Sequence, residues 1–242
     1  MAQSICRRRL LEWGAATPLV MASAGMTLAA ETGLKIGMIG AGHMGGGLGK
    51  LWAEAGHRVM YSSRNPSSLA GLVSETGHGA SAGTVKEAIA FADVVVLAVP
   101  YSAVPQIVKE HGVEIAQKRL VLDVANPLEE RDGAAAIPAR EMGAGAYLAS
   151  VIPGVKVVRA FNSIGSPTLP RDRRRKGIGA VAVPIVGDDE EAIALAQDLI
   201  RQIDYEPVLI GGLAMSKHLI KGGPMAGERS VEEVREIAKT LK

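Results

Sequence analysis

The six residues Gly40-Ala41-Gly42-His43-Met44-Gly45 offer backbone chemistry rather than side-chain chemistry. A Gly-x-Gly-x-x-Gly run that follows an apolar strand and opens a helix presents unpaired N–H groups at the positive end of a helix dipole. That combination suits the pyrophosphate of a dinucleotide. Gly40 permits the tight turn, Gly42 lets the backbone approach the phosphates, and Gly45 lets the helix pack on the sheet. Gly46, Gly47 and Gly49 follow at once. Each costs about 1 kcal/mol relative to alanine in a helix, so close approach by a cofactor or a neighbouring backbone is expected there.

The next informative residues are Ser62-Ser63-Arg64-Asn65, at the end of the second strand. NAD-binding proteins place an acid here, about 20 residues past the glycines, to hold the ribose 2′-hydroxyl. No acid occurs between Arg58 and Ser74. Arg64 can pair with a 2′-phosphate through its planar fork and Ser63 can donate a hydrogen bond. The pattern favours NADP. Three more strand ends, Val99-Pro100-Tyr101, Ala125-Asn126-Pro127 and Ala160-Phe161-Asn162, would surround the nicotinamide half. Asn126 is placed to hold the carboxamide or ribose. Pro100 and Phe161 would form apolar walls, and Asn162 is a polar residue ending an apolar strand. Strand termination by the prolines and core packing by Phe161 are equally good readings.

Hydride transfer needs few side chains, because the cofactor carries the reactivity and the protein supplies geometry. No catalytic side chain is assigned. The five histidines lack the helical spacing of a metal pair, and no metal site is expected. His43 lies in the phosphate turn, and His57 is read as closing the helix that Gly56 ends.

These residues require a frame of alternating elements. Strands are expected at 34–39, 58–62, 93–99, 119–124, 156–160, 180–186 and 207–210, with a weak one near Gly79. Helices are expected at 66–76, 84–91, 102–111, 140–151, 189–203, 213–220 and 230–241, besides the one running from the glycines to about Ala55. The 93–99 valine run marks a strand buried on both faces. The pattern implies an α/β fold with a doubly wound, mostly parallel sheet. It divides into a nucleotide-binding domain over 33–165 and a small α/β extension over 166–242.

Aromatic residues make up 3% of the chain, which argues against a base-stacking nucleic-acid surface. The single cysteine, Cys6, excludes a disulfide framework. The net charge of +2 belongs to the leader, whose Arg7-Arg8-Arg9 outweighs Glu12; the remainder is balanced. Residues 13–30 carry no charge and end in small residues, the layout of a signal peptide rather than a membrane span. Arginines followed by Leu10-Leu11 resemble the twin-arginine type, which places the mature protein in the periplasm. The alternative is a start near Met26 and a cytoplasmic product. Arg171-Asp-Arg-Arg-Arg-Lys176 reads as a solvated loop or as a patch attracting an anionic substrate.

Several of these segments together resemble the NADPH-dependent deazaflavin (coenzyme F-420) reductases. They are Ile36 to Gly45, Ala55 to Val59, Ser62 to Pro66, Asp123 to Pro127, Val157 to Asn162, Gly187 to Glu190 and Lys221 to Pro224. The resemblance implies a Rossmann domain and direct hydride exchange between NADP and a deazaflavin-like ring. It implies that Ala41 to Met44 contact pyrophosphate, Ser63 and Arg64 the 2′-phosphate, and Val99, Pro100 and Ala160 the nicotinamide side. Analogy also suggests a homodimer. Two other functions stay open: a small imine or keto-acid reductase akin to pyrroline-5-carboxylate reductase, and a non-catalytic NADP-binding module.

Overall fold

The computed structural model describes residues 33–166, 169, 174–175 and 179–241. The export-signal reading of residues 1–30 therefore lies outside the described residues, as does the Arg171–Lys176 cluster apart from the strand at Arg174–Arg175.

Six strands come first in the chain: β1 (Lys35–Ile39), β2 (Arg58–Ser62), β3 (Ser81–Gly83), β4 (Val94–Leu97), β5 (Leu120–Asp123) and β6 (Val157–Arg159). A two-residue hairpin, β7 (Arg174–Arg175) with β8 (Gly179–Ala180), stands apart. Then β9 (Ala182–Gly187) and β10 (Glu206–Gly211) complete one eight-stranded sheet in the order β10-β9-β6-β5-β4-β1-β2-β3. Neighbours are parallel except β6 and β9, which pair antiparallel through Val158↔Gly187 and Arg159↔Val186. A parallel neighbour needs a crossover connection. The described residues between β6 and β9 contain no α-helix.

The helices are α1 (His43–Glu54), α2 (Ala70–Thr76), α3 (Val85–Phe91), α4 (Val104–Ala116), α5 (Glu129–Asp132), α6 (Ile137–Met142), α7 (Ala144–Val151), α8 (Glu190–Arg201) and α9 (Val231–Thr240). Each strand sends alternate side chains to opposite faces, and two apolar clusters result. One joins Ile36 and Met38 of β1 to Trp52 of α1 and Leu199 of α8. The other joins Ile39 to Ile89 of α3, Ile107 of α4, Leu148 of α7 and Val234 of α9. β4 is buried throughout, as its unbroken valines require.

Helix starts follow local chemistry. Thr84 and Ser230 form capping boxes with Glu87 and Glu233, and Asp189 accepts from the Ala192 N–H. The helix expected over 140–151 is instead broken at Gly143, whose φ is +93°. A Cβ there would fall 2.3 Å from Ser216 Oγ, so the break admits the turn Leu213–His218. That turn is a 3₁₀ helix, where a longer helix over 213–220 was expected. His57 closes α1 as expected, its backbone N–H donating to Trp52 O at 3.0 Å, while its side chain is used elsewhere: Nδ1 accepts from the Leu34 N–H at 3.1 Å and Nε2 meets Gln202 Oε1 at 2.6 Å.

The glycines after the turn serve packing in different degrees. A Cβ on Gly49 would lie 2.5–2.8 Å from the Tyr61 ring, whereas one on Gly46 would touch Leu72 at an ordinary 3.5 Å. The neighbour of Gly49 is thus a side chain rather than a backbone or cofactor. Gly49→Ala is expected to cost about 1–3 kcal/mol by overpacking. Gly46→Ala is expected to be neutral or to stabilise by up to about 1 kcal/mol. Urea unfolding of the two variants checks this contrast.

Candidate functional site

Strand order reverses between β1 and β4, and two hollows meet above the carboxyl ends of these strands, where open α/β sheets bind ligands. One hollow, of about 620 Å³, extends toward Ser62, Ser63 and Arg64. The other, of about 640 Å³, extends over β5 and β6 toward Asn126, Asn162 and Lys221. They share Gly42, Ala98, Val99 and Pro100 as a common wall. A molecule with two linked heads fits this shape better than one compact ligand.

The glycine turn divides its tasks as its spacing suggests. Gly40 has φ +101°, and its N–H donates to the buried Ser62 Oγ at 3.3 Å. A Cβ on Gly45 would strike Gly40 O at 2.1 Å, so that glycine serves contact between helix and turn. Gly42 is different. Its φ of −74° suits any residue, and a Cβ there would meet nothing within 4 Å. Neither backbone nor packing requires glycine at this place, but a ligand lying against the turn would. The first turn of α1 has no capping side chain and no acid, unlike the starts of α3, α8 and α9. Its amide groups are left for an anion.

In the first hollow, Arg64 is exposed and has no hydrogen-bond or ion-pair partner among the described residues. Ser63 Oγ accepts from the Asn65 N–H at 3.1 Å, and Asn65 Oδ1 accepts from Ser67 Oγ at 2.7 Å. Asn65 shapes the turn and does not line the hollow. Glu110 of α4 is a carboxylate on this wall, engaged by Gln106 Nε2 at 2.9 Å and by His111 at 3.7 Å.

The second hollow rests on a buried ion pair that the sequence reading passed over. Arg159 of β6 is fully buried and bonds to Asp123 of β5. Its other donors reach Ala125 O at 2.7 Å, Leu219 O at 2.8 and 3.0 Å, and Asn126 Oδ1 at 3.3 Å. Burial pushes the Asp123 carboxyl up, while the Arg159 charge and the Ala125 N–H oppose that shift. The next residue but one, Phe161, has φ +61°, a strained value for an aromatic residue. Its ring meets Trp52 and Tyr205 edge-on at 6.3 and 5.7 Å. With Phe161 locked in the core, the following Asn162 and Ser163 turn into the wall of the hollow.

Tyr101, Ala160 and Phe161 were expected to line the site. All three are core residues, 0–1% exposed, and neither hollow touches them. Gly40 to Met44, Ser62 to Arg64, Val99, Pro100, Asn126 and Asn162 do line it. Residues not anticipated on the second wall include Arg131, Ser163, Lys221, Ala226 and Gly227. Asn162 Oδ1 and Ser163 Oγ are buried without a partner in the structure. Such orphaned groups cost about 1–3 kcal/mol each. The uncapped N–H groups of α1, the open space beside Gly42 and the polar lining of the second hollow together fit a nicotinamide dinucleotide.

Residues 35–127 match the family described as NADP oxidoreductase, coenzyme F420-dependent. Over these residues, from β1 through the loop after β5, the chain is similar to this family. The likeness continues past it: the chain is 31% identical over 191 residues to the rat metalloreductase STEAP3, covering 76% of this chain. The chain spans about a third (35%) of that relative's length. Among solved structures, a hypothetical protein of Sinorhizobium meliloti superposes with TM-score 0.69 at 28% identity, over 81% of this chain and 95% of that one. A candidate F420-dependent NADP-reductase of Arthrobacter sp. FB24 gives TM-score 0.67 at 23% identity, over 76% of this chain and 88% of that one. Among the described residues no helix is long and apolar enough to cross a membrane.

Two outcomes follow from this geometry. Gly42→Ala should change folding stability by less than about 1 kcal/mol, the scale of a helix-start substitution, yet weaken dinucleotide binding at least tenfold in a fluorescence titration. Asp132 supports the second hollow from below. It accepts from the Ser102 and Leu128 N–H groups and from Arg131. Burial alone would raise its pKa, but these bonds, led by that of Arg131, bring it down to about 2. Its stabilisation is therefore present above pH 4 and lost as the pH falls toward 2. Asp132→Asn should lose about 2 kcal/mol at pH 7, a deficit that shrinks between pH 4 and 2 in urea titrations.

Proposed function

We propose that the protein moves a hydride between NADP(H) and a flat ring acceptor of the deazaflavin or flavin type. The observation that carries this reading is the two-part hollow astride an uncapped helix start, with an unpaired arginine at one end and no carboxylate on the β2 tip. Arg64 and Ser63 stand where a 2′-phosphate would lie, and an acid in their place would repel it. When bound, the dihydronicotinamide supplies a hydride, a hydrogen with both bonding electrons, to the acceptor ring. Everything else is the protein's share. Ala98, Val99 and Pro100 form an apolar wall between the two halves. The second half is edged by small residues, Ala125, Gly165, Gly222, Ala226 and Gly227, which leave a slot for an extended plane rather than a pocket for one side chain. Among the described residues its charged side chains are Lys221 and Arg131, the latter paired with Asp132, and none is a carboxylate, so Lys221 favours an anionic acceptor.

Arg64→Ala should weaken NADPH about tenfold to a hundredfold, the worth of a charge-assisted bond, and leave NADH affinity unchanged. The acceptor is tested by rapid mixing of the NADPH-loaded protein with a deazaflavin, FMN, a cyclic imine and a keto acid. Oxidation by the ring compounds alone is expected. Turnover with the imine or keto acid alone would move the protein to the small-substrate reductases, and no oxidation by any of them would leave a nucleotide-binding module.

A further inference from the structure

Hydride transfer makes no use of Arg7-Arg8-Arg9-Leu10-Leu11 or of the uncharged residues after them. The described residues set a limit on that leader. A Cβ on Gly33 would lie 2.1 Å from Gly56 O, so the backbone there is already pressed against the end of α1. The next N–H, that of Leu34, donates to the buried His57 Nδ1 at 3.1 Å, and Leu34 O accepts from the Arg58 N–H at 2.9 Å. The fold thus takes hold of the chain at Gly33. A peptidase needs free chain around the bond it cuts, so a removable leader must be cut before Gly33. Small residues of the kind read at such a cut occur at Ala22-Ser23-Ala24 and again at Thr27, Ala29 and Ala30. All of them precede Gly33. Cys6 is the single cysteine, so the chain freed of its leader has no thiol to oxidise, which suits an oxidising compartment.

We propose that residues 1–30 hold a twin-arginine export signal, cut at one of these small residues, and that the chain crosses the membrane folded with its nucleotide already bound. The arginines followed by Leu10-Leu11 are of the type read by the translocase that accepts folded cargo. Folding first is required by the cleft itself. Its second hollow is assembled from distant parts: Arg159 bonds to Asp123 and to Leu219 O across 36 and 60 positions. Such a cleft exists only once the whole chain has folded. A dinucleotide with a pyrophosphate and a further phosphate does not cross a bilayer unaided, because its charges would have to leave water. A chain threaded through the membrane unfolded would therefore reach the far side without cofactor. Loading before export rests on the nucleotide reading above, whereas the export signal does not.

The test expresses the full chain in bacterial strains with and without the twin-arginine translocase and separates periplasm from cytoplasm. A shortened protein is expected in the periplasm of the first strain only, with its N-terminus at Gly25, Ala30 or Glu31. Arg7→Lys, Arg8→Lys and Arg9→Lys made together keep the charge and should lower that yield about tenfold or more, leaving the full-length protein inside. The periplasmic protein should release about one NADP(H) per chain on denaturation, as a single cleft requires. Export unchanged by the lysines, or by loss of the translocase, would overturn the route. Any other N-terminus, Met1 and Met26 included, would overturn the export signal. An empty periplasmic protein that still binds NADPH on titration would overturn loading before export. A periplasmic protein that carries no nucleotide and binds none on titration would instead overturn the nucleotide reading, and the export result would stand by itself.

Discussion

The guanidinium of Arg159 holds the far half of the site together. A charge without solvent exposure survives only with a counter-charge and satisfied donors, and Arg159 has both. Asp123 neutralises it, while carbonyls from Ala125 and Leu219 and the Asn126 side chain take its remaining N–H groups. The bonds tie the ends of β5 and β6 to the loop after β5 and to the segment that precedes Lys221. Losing one charge of such a pair typically costs about 3–5 kcal/mol. The segment over the second hollow is therefore anchored through one buried side chain, and the wall that it builds is set before any ligand arrives.

The two halves of the cleft are made by different means. The half near Arg64 is built from consecutive backbone: a strand, a glycine turn, an uncapped helix and the next strand. Within it Ser62 holds the Gly40 N–H and the Ser63 N–H reaches Gly83 O. The half near Asn162 depends on partners far apart in sequence, such as Ser216 beneath Gly143 and Leu219 on Arg159. Phe161 adds stored strain, since a left-handed aromatic residue persists only where its surroundings over-determine it. Here the rings of Trp52 and Tyr205 do so.

That difference explains what could be read from the chain alone. The parallel core, the glycine turn and the β2 tip rest on local patterns: buried valine runs, a strand followed by glycines, a stretch free of acids. Each appeared where expected. Arg159 was hidden because a polar residue inside a short apolar strand carries no sign of its partner 36 positions away. Phe161 and Tyr101 were drawn toward the ligand because they end or follow strands, whereas core packing claimed both. The break at Gly143 looks like one helix in sequence, since its cause is a serine 73 positions downstream. The reversed pairing of β9 with β6 likewise has no local signature.

The central claim is that the cleft accepts a dinucleotide carrying an extra phosphate on its adenosine ribose. Isothermal titration of the wild-type chain with NADPH and with NADH tests it most directly. The account predicts one site per chain and at least tenfold tighter binding of NADPH, with the preference fading as salt is raised. Equal affinity for the two, or heat from neither, would contradict it.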